Sequence, residues 1–523
     1  MVKLQALDRK LLRDLWRLKT QVVAIALVLA CGVAIFLTVA GMQRALEATL
    51  DDYYGRQRFA DLFANAKRAP RSLVEEIRAI DGVRAAEARV AGWVVLNLPG
   101  RDAPASGRIL SLPPDGAVLN IPLPIAGRMP DPDMPEEVAV SARFAEANNY
   151  RSGDRFEAIA DGKRLSLTIT GTLRSPEFIY ALPPGGLMPD DEGFGVIWMP
   201  ERTAAATFGQ TGAFNDLAMA LRRDADVRHV KREVDLLLDP WGGTGSYERD
   251  RQVSHSFIDA ELSQLRSMAL ILPPIFFGIA AFLVNMVLGR VVTLERSEIG
   301  LLKALGYSKW EIALHYLLLA ALVAVIGILL GWLVGTWLGN GMARLYAQFF
   351  DFPWLVRAGT LDVYAISGLI GLAAAGIGAI RAAMAAARLP AAVAMSPPAP
   401  PRFRRGIVDR MASALRLTQP AMMVLRGIMR WPLRSALTSL GLAFGVAVLV
   451  SSSFLTDAMD AVIDSAFFRS NRQHVVLALG HEASLQAVHD AYHLPGVLSV
   501  EPQFDLPITF HNGPRSKQAA ISA

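Results

Sequence analysis

The sequence predicts an α-helical integral membrane protein with five membrane-spanning helices and a mixed α/β domain outside the membrane. Of its 523 residues, 52% are hydrophobic and only 19% are charged, which is too apolar for a soluble globular protein of this size. Long apolar runs alternate with segments rich in lysine and arginine, as in membrane proteins whose basic loops stay in the cytoplasm. The net charge of +5 therefore indicates membrane topology, and no nucleic-acid partner is expected.

Five apolar runs are long enough to cross a lipid bilayer. At about 1.5 Å per residue, roughly 20 residues span the hydrocarbon core of about 30 Å. Basic residues between Lys3 and Lys19 place the N-terminus in the cytoplasm, and the basic segments 290–309 and 381–434 agree with alternating crossing. The expected location is the bacterial cytoplasmic (inner) membrane. The runs cover residues 22–42, 268–289, 312–338, 363–380 and 435–455.

The region between the first two runs predicts a mixed α/β domain on helical stalks. Residues 43–54 and 252–266 look like helical extensions of the neighbouring spans, and the proline-rich residues 99–135 predict loops. Asp161-Gly162 is the strongest hairpin signal. Helical patterns cover residues 72–80, 141–148 (capped by Ser141) and 226–238, with another helix after Pro200; strand patterns cover residues 90–98, 137–140, 155–160, 165–173, 195–199 and 216–221.

The opening pattern of the chain recurs near its end. Leu12-Arg13 and Gly32-Val33-Ala34 return 413 positions later as Leu425-Arg426 and Gly445-Val446-Ala447. The second unit stops far short of a full repeat, so the pattern predicts a truncated two-repeat protein. The predicted division is 1–42 (N-terminus and first span), 43–266 (α/β domain), 267–381 (spans two to four), 382–434 (basic linker), 435–455 (fifth span) and 456–523 (incomplete second external domain).

A short charged stretch between the second and third runs is the candidate functional site. At helical spacing its leucines gather on one side and its basic residues on the other. Gly306 predicts the end of this helix, and Ser308 with Glu311 forms a capping box that starts the next one. A soluble partner could contact such a helix at the membrane surface, whereas a loop that merely joins two spans is an equally weighted alternative. The leucines are Leu294, Leu301, Leu302 and Leu305, and the basic residues are Arg296 and Lys303.

The third run contains a ladder of glycines at every fourth position. Such small-residue ladders allow two helices to approach closely. We therefore predict helix packing, with a pore-lining role as the less favoured alternative. The glycines are Gly327, Gly331, Gly335 and Gly339.

The sequence lacks the motifs of common catalytic and cofactor sites. There is no G-x-x-x-x-G-K-[ST] phosphate loop and no G-x-S-x-G nucleophile elbow. His481, His489 and His493 have metal-like spacing, but a solvated helix face is the favoured interpretation. No ionisable side chain is expected inside the spans. We accordingly expect no enzymatic activity, cofactor or metal.

The chain resembles the class of ABC transporter permeases that contains FtsX, MacB and LolC. Glu-Val-Ala-Val-Ser at 137–141, followed by Gly153-Asp154 and the hairpin, is similar to the periplasmic core domain of that class. Residues 295–308 are similar to its segment between the second and third membrane helices. In this class that segment is a coupling helix that docks on an ATPase. The resemblance assigns this ATPase-coupling role to Glu295, Arg296, Glu298, Ile299, Leu302, Lys303, Leu305 and Gly306.

The resemblance implies a permease subunit that turns the ATP cycle of a separate cytoplasmic ABC ATPase into movement of its external domain. One use of this movement is export or extraction of an amphipathic substrate (lipid, lipoprotein, peptide or drug), with a periplasmic adaptor. The other is FtsX-like signalling that activates a cell-wall hydrolase, and a ligand sensor without an ATPase is a third class. A homodimeric or heterodimeric permease, or a pseudo-dimer at full length, is expected.

Overall fold

Long helices dominate the architecture of this chain. The structure, a computed structural model, describes residues 6–98, 105–186, 188–356, 360–395, 432–470, 472–477, 484–503, 505–512 and 515–522, together with positions 418, 420, 423 and 428. It contains two compact units, Met1–Leu455 and Thr456–Ala523, which are described separately. The helices that start in the first unit are α1 (Ala6–Arg17), α2 (Lys19–Arg56), α3 (Leu73–Ala79), α4 (Ala142–Ala147), α5 (Glu201–Thr207), α6 (Val227–Leu238), α7 (Val253–Leu294), α8 (Arg296–Ala304), α9 (Lys309–Phe349), α10 (Leu361–Arg388), α11 (Ala391–Met395) and α12 (Pro432–Ile463).

Within the described residues, five helices are long and apolar enough to cross a membrane by length and composition. They are α2, α7, α9, α10 and the Gly441–Ile463 part of α12. Helices α2, α7, α9 and α10 each contain one of the predicted runs, and the Gly441–Ile463 part of α12 overlaps the fifth run, 435–455. Both α2 and α7 continue well beyond their runs towards the α/β domain, as the predicted stalk requires.

Helices α2, α7, α9 and α10 pack side by side around one apolar core. Leu29 and Val33 of α2 meet Ala280 of α7 and Ala375 of α10 in this core. Close approach depends on small residues, since a Cβ at Gly378 would lie 2.2 Å from the carbonyl oxygen of Ala281. The helices of the bundle therefore pack closely at small residues, as expected for helices in lipid.

The proline pair in α7 does not interrupt the helix. Pro273 and Pro274 lie inside an unbroken helix of 42 residues, so the pair does not locally unwind it. Membrane helices tolerate proline because neighbouring helices and small local adjustments satisfy the freed carbonyl groups.

The α/β domain, here residues 59–251, contains a four-stranded antiparallel sheet with helices on one face. The strand order is β11-β1-β10-β2. Ile77 of α3 and Val230 of α6 pack on Leu62 and Phe214 of the sheet. These strands are β1 (Leu62–Pro70), β2 (Val83–Arg89), β10 (Ala213–Leu221) and β11 (Tyr247–Glu248).

The other strands of the α/β domain form a closed barrel. The ladder runs β8-β6-β9-β4-β3-β7, and β7 pairs again with β8 through the Asp161-Gly162 hairpin. Asp161 and Gly162 both have positive φ (49° and 74°), as a two-residue type I′ turn requires. An extra strand, β5, extends the sheet from β8. The strands are β3 (Ala91–Asn97), β4 (Ala105–Leu112), β5 (Leu123–Gly127), β6 (Glu137–Ser141), β7 (Arg155–Ala160), β8 (Lys163–Arg174) and β9 (Phe194–Pro200).

Two local predictions in the α/β domain are wrong. Residues 99–135, expected to be loops, contain β4 and β5. Ser141 precedes α4, but its hydroxyl accepts a hydrogen bond from the amide of Val196 at 3.2 Å and does not cap the helix. In both cases pairing with a remote strand outweighs the local pattern.

A buried ionic cluster joins the four-stranded sheet to the barrel. The guanidinium of Arg89 on β2 donates to both carboxylate oxygens of Glu177 at 2.8 Å and to Asp216 on β10 at 2.6 and 2.8 Å. Glu177 lies in a short 3-10 helix that follows β8, and Asn120 donates to it. Charges buried in this way are tolerated because every partner is paired.

The second unit contains a short helix and a hairpin. Helix α13 (Gln486–Tyr492) is followed by Gly496, whose φ of +87° resembles that of Gly82 (+96°) after α3. Strands β12 (Asp505–Asn512) and β13 (Arg515–Ser522) pair antiparallel. His481 and most of the predicted linker 382–434 lie outside the described residues.

Candidate functional site

Helix α8 occupies a sharp turn between α7 and α9, and local signals fix the end of α8 and the start of α9. Gly306 adopts a φ of +97°, the left-handed conformation expected after a helix end. Ser308 accepts a hydrogen bond from the amide of Glu311 at 3.2 Å, and the Glu311 carboxylate accepts one from the Ser308 amide at 2.7 Å. The predicted capping box is therefore confirmed.

One face of α8 packs against the chain that follows α10. Gly300 faces α11, since a Cβ there would lie 2.9 Å from Met395 Cγ and 3.0 Å from Ala394 Cβ. Arg296 donates to the carbonyl of Val393 at 2.7 Å. Lys303 donates to the carbonyls of Ala387 and Leu389, at 2.8 and 2.5 Å, where α10 ends. These two basic side chains thus hold α8 to its own chain.

A second face of α8 meets α1 through a cluster of charged side chains. The Nζ atom of Lys10 lies 2.9 Å from Asp14, 2.9 Å from Glu295 and 3.0 Å from Glu298. Asp14 also contacts His315 Nε2 at 3.3 Å, and Glu295 accepts a hydrogen bond from the Tyr316 hydroxyl at 3.2 Å. The cluster therefore joins α1, the start of α8 and the start of α9.

The charges of this cluster stabilise one another. Burial alone would lower the pKa of Lys10, but its hydrogen bonds to Asp14, Glu295 and Glu298 raise it above its ordinary value. Burial would likewise raise the pKa of Asp14, but contacts with His315 and Lys10 lower it. Both groups stay ionised at neutral pH.

Sequence analysis missed this cluster. Contrary to the expectation, an ionisable side chain, His315, is buried near the beginning of the third apolar run. The available signal was a polar residue in an otherwise apolar stretch, and Asp14 shares a helical face with Leu11 and Leu15 of α1.

The third face of α8 is open and carries a stripe of leucines. Leu294, Leu301 and Leu305 expose 71%, 54% and 69% of their surface. The Glu298 side chain, 51% exposed, lies among them. Leu302 is only partly exposed, so its predicted grouping with the other three leucines is correct only in part.

The residues with a predicted coupling role fall into two groups. Those engaged within the chain are Glu295, Arg296, Ile299 and Lys303. The others are at least partly exposed on α8 or at its end, and they are Leu302, Leu305, Gly306 and Glu298, of which Glu298 also pairs with Lys10.

Three glycines of the ladder on α9 lie against α2. A Cβ at Gly327 would come within 2.8 Å of the Ala26 carbonyl, one at Gly331 within 2.6 Å of Val33 Cβ, and one at Gly335 within 3.0 Å of Ala34 Cα. These close approaches are what the ladder predicts. Gly339 has no such neighbour within 4 Å.

The far end of α9 is fixed to the barrel. Asp351 Oδ1 lies 2.9 Å from Arg174 Nε of β8 and 3.3 Å from Arg143 Nε of α4. Arg143 also donates to the carbonyls of Gln348 and Phe350, at 3.1 and 3.3 Å. Burial raises the pKa of Asp351, although the two arginines oppose that shift.

No metal site is evident in the part of the chain that the structure describes, where no three His, Cys, Asp or Glu side chains are arranged to hold an ion. His489 of α13 and His493, which follows the helix, meet edge to face with ring centroids 4.3 Å apart. Their predicted partner, His481, lies outside the described residues.

Two family descriptions match separate parts of the chain. Residues 21–237, which cover most of α2 and the α/β domain, match the MacB-like periplasmic core domain. Residues 270–391, from within α7 to the start of α11, match the FtsX-like permease C-terminal domain, so α8 lies inside it. The chain belongs to the FtsX/MacB-like ABC transporter permeases. Permeases of this family are membrane proteins that work with a cytoplasmic ATPase.

Individual relatives of this permease are distant. It is 24% identical over 263 residues to the uncharacterized ABC transporter permease protein Rv0987 of Mycobacterium tuberculosis, a match that covers 49% of this chain and 29% of that relative's length. The extracellular domain of the noncanonical ABC-type transporter YknZ from Gram-positive bacteria aligns with 36% of this chain and 98% of its own (13% identity, TM-score 0.26). The periplasmic region of MacB from Actinobacillus actinomycetemcomitans aligns with 41% of this chain and 98% of its own (9% identity, TM-score 0.26).

Proposed function

We propose that this permease is a non-catalytic subunit that converts ATP hydrolysis by a separate cytoplasmic ATPase into movement of the α/β domain. In this proposal α8 is the ATPase contact. The N-terminus and α8 lie on the cytoplasmic side of the bacterial inner membrane, and the α/β domain lies outside. The domain division predicted from the sequence is part of the same proposal.

The observation that carries the proposal is the continuity of the helices on either side of α8. Helices α7 and α9 contain 42 and 41 residues without a break. At about 1.5 Å per residue each is roughly 60 Å long, about twice the thickness of the hydrocarbon core. A displacement of α8 would therefore be carried through the membrane by two continuous helices.

Both helices are anchored to the α/β domain at their far ends. At the beginning of α7, Gln252 donates to the carbonyl of Glu177 at 2.8 Å, and Ser254 accepts from the amide of Tyr180 at 2.9 Å. At the end of α9, Asp351 contacts Arg143 and Arg174. Movement at α8 would thus reach the barrel and the short 3-10 helix that joins it to the four-stranded sheet.

The open face of α8 supplies the proposed contact surface. Helix-in-groove interfaces concentrate their free energy in a few anchors, each worth about 2 kcal/mol or more. Leu301 and Leu305 lie one turn apart and are both exposed, so we assign them as anchors, with Glu298 as an orienting charge. Lys303 is not part of this surface, because its side chain donates to carbonyls at the end of α10, whereas half of the Glu298 side chain stays exposed beside its contact with Lys10.

We propose export or extraction of an amphipathic substrate (lipid, lipoprotein, peptide or drug), with a periplasmic adaptor, as the use of this movement. The active form would be a dimer of permease subunits or a pseudo-dimer at full length. FtsX-like activation of a cell-wall hydrolase is the alternative outcome. Identifying the proteins that copurify with the chain distinguishes export from signalling, because an adaptor supports export and a hydrolase supports signalling.

The ATPase contact is tested by replacing both anchors with aspartate. Leu301→Asp with Leu305→Asp should abolish copurification of the ATPase while the permease remains in the membrane, because the flanking spans govern insertion. Leu236→Asp is the matched control, since Leu236 is 68% exposed on α6 of the α/β domain. Retention of the ATPase by the double variant would exclude α8 as the principal contact.

A further inference from the structure

Helix α1 has two chemically different faces. On its inner face Leu11 and Leu15 pack on the core of the bundle, as does Leu18 just after the helix, and Lys10 and Asp14 join the charged cluster. On its outer face the side chains are exposed. The exposed residues are Arg9, Leu12, Arg13, Trp16 and Arg17.

The outer face combines apolar and cationic groups in the pattern of an interfacial helix. Leu12 and Trp16 lie one turn apart and expose 52% and 76% of their surface. Arg9, Arg13 and Arg17 are also spaced by one turn and follow the edge of this apolar pair. Such a helix lies at a membrane surface with its apolar residues among the headgroups and its basic residues on anionic lipid.

The position of α1 in the chain favours a lipid surface as the partner of this face. Helix α1 leads directly into α2, the first candidate span, and only Leu18 separates them. Lys19 lies beyond it, with its Nζ atom 5.6 Å from the centroid of the Trp16 ring. Tryptophan and basic residues next to a span are typical of the membrane–water interface.

The inner face connects α1 to the first turn of α8. Lys10 contacts Glu295, which precedes α8, and Glu298 within its first turn. The side chains of Lys10 and Glu295 are largely shielded from water, so this link is screened less than an exposed ion pair.

We propose that the outer face of α1 docks on anionic phospholipid headgroups. In this proposal Lys10 couples the docked helix to α8, because it holds the first turn of α8 in place. Lys10 is a positioning residue in this arrangement. The inference concerns only the permease and its lipid, and it does not depend on contact between α8 and an ATPase.

The test uses a spin label on α8 in the full chain. Cys31 is the single cysteine, so Cys31→Ser with Leu305→Cys allows one site to be labelled. The protein is placed in nanodiscs of phosphatidylcholine alone or mixed with phosphatidylglycerol. We expect lower label mobility in the anionic discs. Lys10→Met should remove this lipid dependence, and Lys10→Arg, which keeps the charge, should retain it.

A second arm tests the outer face of α1. Replacing Arg9, Arg13 and Arg17 together by glutamine should also abolish the lipid dependence, because the attraction to anionic headgroups is lost. Replacing the basic residues Arg222 and Arg223 of the α/β domain by glutamine is the matched control. This change should leave the lipid dependence of the label mobility intact. The proposal is overturned if the parent shows no lipid dependence, or if the dependence survives Lys10→Met or the triple change. Survival would mean that lipid acts on α8 directly.

Discussion

Arg143 and Asp351 join the barrel to the end of α9, with Arg143 Nε 3.3 Å from Asp351 Oδ1. Because Arg143 also donates to carbonyls in the last turn of α9, it fixes the direction of the helix as well as its end point. Arg174 holds the same carboxylate from β8. The relationship gives α9 a defined attachment to the α/β domain.

Arg143→Met should therefore weaken the attachment of α9. The variant leaves the Asp351 carboxylate with one arginine, and loss of a hydrogen bond to a charged group costs about 2 kcal/mol. The measurement is the shift in the thermal unfolding midpoint of the full chain in detergent. Arg202→Met is the control, because the Arg202–Asp133 pair is exposed at 3.5 Å and should contribute less than about 1 kcal/mol. Equal shifts for the two variants would contradict the assignment.

Gly331→Ala should destabilise the bundle, whereas Gly339→Ala should not. A methyl group at Gly331 would lie 2.6 Å from Val33 Cβ and 2.9 Å from the Ala30 carbonyl, so α2 and α9 must separate. Overpacking of this kind costs about 1–3 kcal/mol. Gly339 has open space, and alanine there should be neutral or stabilising because it favours the helix. Thermal unfolding of both variants measures this, and an unchanged midpoint for Gly331→Ala would argue against the tight contact.

Glu87 should make the stability of the α/β domain depend on pH. Burial raises the pKa of Glu87 above its ordinary value of 4.5, although Arg89 and the amides of Leu119 and Val118 oppose the shift. The folded protein then binds this proton more tightly than the unfolded chain does. The contribution of Glu87 to the free energy of unfolding is therefore complete below pH 4.5, and it is lost as the pH rises through the raised pKa.

Glu87→Gln should remove this dependence, because glutamine does not ionise. Unfolding midpoints of the parent and the variant, measured from about pH 4.5 to neutrality, should diverge with rising pH as the parent loses stability. Parallel curves would show that Glu87 has no raised pKa in the folded state.

Reporter fusions test the proposed topology. Alkaline phosphatase fused after Ala225 in the α/β domain should be active, because the enzyme folds outside the cytoplasm. A fusion after Pro400, in the basic linker, should be inactive because basic segments stay inside. The reverse pattern would place α8 on the wrong side of the membrane for an ATPase contact.

Local sequence signals predict local structure well in this chain. Asp161-Gly162 specifies its hairpin because both residues tolerate positive φ, and Ser308 with Glu311 specifies the start of α9. The long apolar runs are equally clear, because length and hydropathy alone define them.

Features that depend on distant parts of the chain could not be predicted in this way. Strands β4 and β5 are hidden in a proline-rich segment and exist because β9 and β8 pair with them. Lys10 meets Glu295 across 285 positions, and a helical wheel of α8 alone cannot show that contact. The wheel also groups Leu302 with the exposed leucines, although its side chain is partly buried in the structure.

Closure of the barrel limits how a protein partner could recognise the α/β domain. Strands β3, β4, β6, β7, β8 and β9 have neighbours on both sides, so their main-chain groups are engaged within the ladder. In the described part of the α/β domain, unpaired strand edges remain on β5 of the barrel sheet and on β2 and the two-residue β11 of the four-stranded sheet. A partner that binds by strand addition would have to use one of these edges, and recognition of the remaining wall would have to rely on side chains.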